Sequence, residues 1–237
     1  HFILYAQKFL TLAADAPDQR CFEVLLRLQE EEDNMLLPGG FFSVAERYNL
    51  MGKIDCWVVH NLLKWCSQKR DADPGWDMPL FCVNLSAASI CDAEFPIFVQ
   101  RALRRRGVAA GKLCFELNEF DVISHYEATQ ALISLLRPHG CRFTLDAFGS
   151  ARVSFAPVKD LTLDFLKIDG VIVQNLLTDR NERAKARAIT IAAHKIGMRI
   201  IAEFVESDAT LAVLREIGAD YAQGFGISKP GPIAQVS

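Results

Sequence analysis

Residues 113–149 read LCFELNEFDVISHYEATQALISLLRPHGCRFTLDAFG, and their order decides the fold. Leu113 to Leu117 is an apolar run of strand length. Tyr126 to Arg137 predicts a helix, with Ser124 as candidate N-cap and Pro138 as a stop. Cys141 to Leu145 is a second strand. Strand, helix, strand in about thirty residues is the unit that builds parallel sheets.

The same alternation extends both ways along the chain. Upstream, Phe2 to Gln7 and Arg20 to Leu28 are strand-like. From Ser43 to Trp65 the apolar residues Ile54, Val58, Leu62 and Trp65 line one helical face. Leu80 to Leu85 is a strand, and Phe95 to Arg106 a helix ended by Gly107. Downstream, Leu163 to Ile168 is a strand and Glu182 to Ile196 a helix closed by Gly197. Met198 to Ala202 is a strand, Ala209 to Ile217 a helix closed by Gly218, and Tyr221 to Gly224 a last short strand. The 237 residues approach the ~250 typical of a (β/α)8 barrel. A doubly wound open sheet competes, but no G-x-G-x-x-G or G-x-x-x-x-G-K-[ST] appears.

Composition narrows the function classes. Lys plus Arg is 26 against 29 Asp plus Glu, a net charge of −3, with 51% hydrophobic and 23% charged residues. That excludes a disordered tail and a nucleic-acid coat driven by positive charge, and no DNA or RNA partner is expected. No apolar run reaches the ~20 residues that span a bilayer. The seven cysteines contain no C-x-x-C, so zinc ribbons are disfavoured and a reducing cytosol is expected. The five histidines are scattered and read as structural or surface groups. The acidic run Glu30-Glu31-Glu32-Asp33 reads as a solvated loop. Arg104-Arg105-Arg106 reads as cations favoured by a helix C-terminus, ahead of a phosphate-binding patch.

Polar residues recur at the strand ends. Glu23, Asn84, Glu116, Asp146, Lys167, Glu203 and Gln223 each lie in or just after an apolar strand. Carboxylates are rarely buried unpaired. In a parallel barrel these ends converge on one face, where Glu23, Asn84, Glu116 and Asp146 would offer oxygen donors to a hard divalent cation. Lys167 and Glu203 would lie opposite as proton-transfer or water-orienting groups. The alternative is a set of buried salt bridges, Lys167 with Glu203 for example. Both remain open at this stage.

The motifs in order resemble the EAL domain, the family of cyclic-di-GMP phosphodiesterases and their degenerate relatives, over essentially the whole chain. Glu23-Val24-Leu25 stands at the name-giving E-A-L. Tyr5-Ala6-Gln7 resembles Y-x-Q-P-I with Lys8 in place of proline. Ile54-Asp55-Cys56-Trp57-Val58 resembles I-D-x-W-V. Val83-Asn84-Leu85-Ser86-Ala87 matches V-N-L-S-A, and Glu116-Leu117-Asn118-Glu119 resembles E-I-T-E. Leu166-Lys167-Ile168-Asp169 matches L-K-I-D. Gln223-Gly224-Phe225 and Ser228-Lys229-Pro230 match Q-G-Y and S-K-P.

The resemblance implies a modified (β/α)8 barrel with an antiparallel first strand. It implies hydrolysis of cyclic-di-GMP to a linear dinucleotide with two Mg²⁺ or Mn²⁺ ions. Glu23, Asn84, Glu116 and Asp146 match the family's metal ligands. Lys167 matches the lysine near the attacking water, Glu203 a further active-site acid, and Glu119 the glutamate that steadies a neighbouring loop. Gln7, Arg27 and Asp55 match positions that contact phosphate or guanine, and Gln223 a glutamine near the catalytic centre.

Three departures matter. The family's D-D-F-G is Asp146-Ala147-Phe148-Gly149, so a second-metal ligand is lost, leaving one plausible site and one compromised. Losing one ion removes about 4–5 kcal/mol of transition-state stabilisation, a rate fall of about 10³-fold or more. The following loop is Gly149-Ser150-Ala151-Arg152-Val153-Ser154 instead of G-T-G-Y-S-S. A-E-G-V-E becomes Ala202-Glu203-Phe204-Val205-Glu206, where Phe204 either stacks on a guanine or simply packs.

Three functions follow in order. The first is a cyclic-di-GMP receptor with absent or residual phosphodiesterase activity, holding ligand through Arg27, Asp55, Phe204 and Glu206 with no metal required. The second is a working phosphodiesterase. The third is a protein-interaction module. Phe204-Val205-Glu206-Ser207 resembles the FimX-like receptor branch, which acts in type IV pilus control. Residues 1–237 are expected to be a single EAL domain of a longer bacterial, cytoplasmic signalling protein. Expected partners are a PilZ-type protein, an upstream GGDEF domain or a second copy.

Overall fold

The computed structural model describes residues 1–13, 20–29, 35–36, 38–149 and 153–236. The acidic run at 30–33 and loop positions 150–152 lie outside them. The chain opens with β1 (Phe2–Lys8), β2 (Leu10–Thr11), β3 (Cys21–Gln29) and β4 (Met35–Leu36). Helices α1 (Pro38–Arg47) and α2 (Met51–Ala72) lead to β5 (Leu80–Leu85). Then come α3 (Ala87–Ile90), α4 (Glu94–Arg106), β6 (Leu113–Asn118), α5 (Glu119–Ser124) and α6 (Tyr126–Leu136). β7 (Arg142–Phe148), β8 (Phe165–Ile168), α7 (Gly170–Gln174) and α8 (Arg180–Lys195) follow. The chain finishes with β9 (Arg199–Ala202), α9 (Asp208–Ile217), β10 (Tyr221–Ala222) and β11 (Gly231–Pro232).

Strands β3, β5, β6, β7, β8, β9 and β10 pair in that order, all parallel. β1 runs antiparallel to β3, and β2 antiparallel to β10. The stretch from Phe2 to Thr11 therefore borders both ends of the parallel run and closes it. This is the expected modified (β/α)8 barrel with an antiparallel first strand.

Alternation along the strands makes the layers. Residues two apart on a strand share a face. Cys21, Cys82, Cys114, Phe165, Ile201 and Tyr221 belong to one buried apolar cluster with Phe9 and Leu80. Two residues further along the same strands stand Glu23, Asn84, Glu116, Lys167, Glu203 and Gln223. The barrel interior is thus an apolar floor beneath a polar ring. The intervening positions, among them Val83, Phe115, Phe143, Leu145 and Leu166, join the larger cluster under the helices. Burying each such side chain stabilises the fold by about 1.5–3 kcal/mol.

The expectations shift at several boundaries. The helix from Ser43 to Trp65 is two helices, broken at Asn49, which takes φ 53°. Asparagine tolerates that left-handed turn better than most residues. Ser124 ends α5 and caps nothing; α5 is itself capped by the Asn118 side chain, which accepts from the Phe120 N–H at 2.9 Å. β7 continues past Leu145 to Phe148 through a bulge. Ala147, inside that bulge, has φ 57°. Five of the cysteines are buried, as small apolar residues; Cys56 is half-buried and Cys91 exposed. No helix among the described residues is long and apolar enough to cross a membrane.

Candidate ligand and metal site

The polar ring centres on Lys167, delivered by β8 and fully buried. Its ammonium lies 3.1 Å from Glu116 Oε2, 3.3 Å from Glu23 Oε2, 3.5 Å from Glu203 Oε2 and 4.0 Å from Asp146 Oδ1. Four strands thus turn their carboxylates onto one lysine. The pair of Lys167 and Glu203 anticipated as a salt bridge is present, as one edge of this larger cluster.

The surroundings set the charge states. Burial pulls the Lys167 ammonium down, but Glu116, Glu23, Glu203 and Asp146 outweigh it and hold its pKa well above the ordinary value. Burial raises Glu23 too, yet Lys167 and hydrogen bonds from Gln223 and Asn84 leave it below the usual range. Glu116 goes the other way. Burial, with Glu23 and Asp146 nearby, lifts it well above the usual range despite Lys167. Glu203 is lifted to about 7, chiefly by burial.

A second set of contacts braces Glu23. Asn84 Nδ2 donates to Glu23 Oε1 at 2.7 Å, and Gln223 Nε2 donates to Glu23 Oε2 at 2.7 Å. Gln223 Nε2 also lies 3.1 Å from Gln7 Oε1, and Gln7 Nε2 donates to the Ser228 carbonyl at 2.7 Å. Gln7 and Glu23 face each other in register on β1 and β3. Gln7 therefore ties the C-terminal S-K-P segment to the central carboxylate.

Asp55 is buried and occupied. Its Oδ2 accepts from the Ser86 hydroxyl at 2.6 Å and the Ser86 N–H at 3.0 Å. This fixes the turn just after Asn84, a link between α2 and β5 that the separate motifs did not reveal. Asp55, Asn84 and Ser86 also line a cleft of about 630 Å³ with Phe42, Ile54 and Val83. That volume lies within the ~300–1,000 Å³ usual for small-molecule pockets.

The remaining residues sit around the mouth. Glu119 Oε2 accepts from the Gly149 N–H at 3.2 Å, which secures the start of the loop after β7. Arg27 lies over the Tyr5 ring at 5.6 Å. Phe204, at φ 57°, is 53% exposed. Its ring lies so close over Gly170 that a Cβ there would meet Phe204 Cδ2 at 2.3 Å. Phe204 thus packs on one face and is open on the other. Glu206 is exposed.

The comparisons with known proteins agree with this geometry. Residues 11–230 match the EAL domain family. The chain belongs to the EAL family. It is 31% identical over 233 residues to the cyclic di-GMP phosphodiesterase PdeF of Escherichia coli, covering 98% of this chain and 30% of that protein. It is 32% identical over 232 residues to the cyclic di-GMP phosphodiesterase PdeB of Shewanella oneidensis, covering 98% of this chain and 27% of that protein. The chain therefore spans under a third of the length of these relatives. Among solved structures, the FimX EAL domain of Pseudomonas aeruginosa bound to c-di-GMP superposes with a TM-score of 0.88 at 29% identity, over 97% of this chain and 90% of that one. The PaMucR phosphodiesterase in its c-di-GMP complex gives 0.88 at 28% identity, over 99% and 93%.

EAL phosphodiesterases are metal-dependent, and the donor set here can be tested against that chemistry. Glu23, Asn84, Glu116 and Asp146 offer the hard oxygen donors that Mg²⁺ and Mn²⁺ take. Glu116 Oε1 is buried without a hydrogen-bond partner among the described residues, as a ligand atom awaiting a cation would be. In donor chemistry these residues suit one ion. They are not already drawn into a metal cage: no three such groups among the described residues are so arranged, and Lys167 stands between them. Ala147 offers only a methyl group to a second ion.

Proposed function

We propose that this EAL domain is a cyclic-di-GMP receptor with absent or residual phosphodiesterase activity. Ala147 carries the reading. Beside Asp146, at the bulge where the family places a second aspartate, the chain has no group to hold a second ion. Two-metal hydrolysis stabilises both attacking and leaving oxygens, and one ion cannot serve both. Binding asks for less. Arg27 supplies positive charge against two phosphates in a chain of net charge −3, while Lys167 is buried and already matched by four carboxylates. Phe204 offers an open face for a guanine and Glu206 an exposed carboxylate, while Gln7, Asp55 and Gln223, buried and hydrogen-bonded, support the site from beneath. Glu119 holds the Gly149 N–H at the end of β7.

A working phosphodiesterase is the second reading. The convergence of Glu23, Asn84, Glu116 and Asp146, with Lys167 and Glu203 as proton-handling groups, favours it. When bound, a Mg²⁺ or Mn²⁺ ion at these four residues would polarise a phosphoryl oxygen. Glu203, 3.5 Å from the Lys167 ammonium, would then lie beside the ion as a proton-handling group. A cytoplasmic setting, a GGDEF domain in the same protein, a PilZ-type partner, a second copy and a role in type IV pilus control are extensions of the receptor reading. The short share of the relatives' length is consistent with further domains.

The deciding experiment is a single-turnover assay with excess protein, cyclic-di-GMP and Mn²⁺, separated by chromatography over hours. Intact nucleotide with measurable binding by calorimetry is expected. Rapid conversion to the linear dinucleotide would establish the second reading. Dissociation weaker than on the order of 1 mM would leave only an interaction module.

A further inference from the structure

The arginines of α4 have no part in the barrel mouth; Arg104, Arg105 and Arg106 occupy its last turn, where the helix dipole favours cations, but its carbonyls do not need them. The C-terminus of α4 is already capped. Gly107 turns it in the left-handed conformation and donates its N–H to the carbonyls of Leu103 and Arg104. From α2, Arg70 Nη1 donates to the Gly107 carbonyl at 2.6 Å and the Arg106 carbonyl at 3.3 Å. Arg101, Arg105 and Arg106 are left over. Among the described residues none of the three has a carboxylate partner. Arg106 is half-buried all the same.

These three guanidinium groups line a groove of about 250 Å³ on the outer wall of the barrel, between α4 and α2. Its other walls are Phe98, His60 and Glu94. Spacings of four, three and four place Glu94, Phe98, Arg101 and Arg105 along one face of α4. The groove is therefore polarised. Its acidic end and Arg105 are eleven residues apart, about 16 Å along the helix.

We propose that this groove binds an organic phosphate of nucleotide size, with the class of nucleoside monophosphates as ligand. Guanidinium forks match phosphate oxygens in pairs and are over-represented wherever phosphate is recognised. The half-buried Phe98 ring offers an apolar wall to a base. Glu94 accepts hydrogen bonds from ring or sugar donors at the other end and repels a uniform polyanion, which argues against nucleic acid or an acidic peptide. The volume lies just under the usual small-molecule range, which limits the occupant to about one nucleotide.

The test is an NMR titration of the ¹⁵N-labelled chain with adenosine 5′-monophosphate and, separately, inorganic phosphate. Adenosine is chosen to avoid guanine recognition at the barrel mouth. Shifts confined to residue 60 and residues 94–106 are expected, with a dissociation constant on the order of 1 mM or tighter. Inorganic phosphate should bind about tenfold more weakly, since it reaches only the arginine end. The double variant Arg101→Gln, Arg105→Gln keeps helix propensity. It should weaken nucleotide binding by about tenfold or more, with an unchanged melting temperature and unchanged binding of cyclic-di-GMP. Shifts at the barrel mouth alone, equal affinity for inorganic phosphate, equal binding by the double variant, or no shifts would each overturn the proposal.

Discussion

Lys167 Nζ stands 3.1 Å from Glu116 Oε2, while the second oxygen of Glu116 is buried without a hydrogen-bond partner among the described residues. One ammonium is holding more carboxylate than it can satisfy. Lys167→Met should expose that imbalance. It leaves Glu23, Glu116, Asp146 and Glu203 facing one another without a cation, and breaking a buried pair in this way costs about 3–5 kcal/mol. Urea unfolding should show that loss. Mn²⁺ should recover more stability in the variant than in the parent chain, since an ion can then take the place of the ammonium. An undiminished unfolding midpoint without metal would contradict this account of the ring.

The same cluster sets a pH dependence in metal-free protein. Glu203 titrates at about 7 in the folded chain against an ordinary 4.5. Between those values the folded state holds a proton that the unfolded chain has released. Stability from this group is therefore full below pH 4.5 and is lost as pH rises through 7, on the order of 3 kcal/mol in all. Glu116, also raised, acts in the same sense. Glu23, lowered, acts oppositely and only in acid, where stability falls as its folded-state carboxylate is protonated. Melting temperatures in chelator should decline from pH 5 to pH 8, and Glu203→Gln should flatten the decline. A parallel decline in the variant would remove Glu203 from this role.

Much of this is legible in the sequence, for physical reasons. Strand ends such as Phe115-Glu116-Leu117 and Phe165-Leu166-Lys167 announce themselves because an apolar strand rarely carries a charge without cause. The barrel followed from their alternation with helices. The bond between Asp55 and Ser86 was not legible, because it joins a helix and a strand end thirty-one residues apart, and periodicity carries only local information. The break at Asn49 was missed because its flanking residues keep helical spacing on both sides. The bulge at Ala147 was hidden too, since nothing in the side chain of alanine signals a positive φ.

That bulge yields a prediction of its own. An alanine at φ 57° costs about 1 kcal/mol or more against glycine in the same conformation. Ala147→Gly should therefore raise stability by about 0.5–1 kcal/mol, after the greater entropy of glycine in the unfolded chain is counted. Ala147→Asp keeps the turn, which aspartate tolerates better than alanine, and adds a carboxylate beside Asp146. With Mn²⁺ it should raise conversion of cyclic-di-GMP by about 10²-fold or more over the parent chain. An unaltered rate, with the fold intact by circular dichroism, would mean that something other than the missing ligand limits the chemistry.

Gly170 and Phe204 separate packing from recognition at the mouth. A Cβ at Gly170 would meet the Phe204 ring at 2.3 Å, and the ring must give way. It can do so, because Phe204 is 53% exposed. Gly170 has no left-handed φ, so alanine adds no backbone strain there. Gly170→Ala should therefore cost less than about 1.5 kcal/mol in stability while displacing the ring. If Phe204 is a stacking surface for a guanine, calorimetry should show cyclic-di-GMP binding weakened by about tenfold, in line with the 1–3 kcal/mol of a base–aromatic contact. Phe204→Ala should weaken it to a similar extent, because both variants remove the same surface. Normal affinity in both variants would assign the ring to packing alone, and the charge of Arg27 would then have to hold the ligand without it.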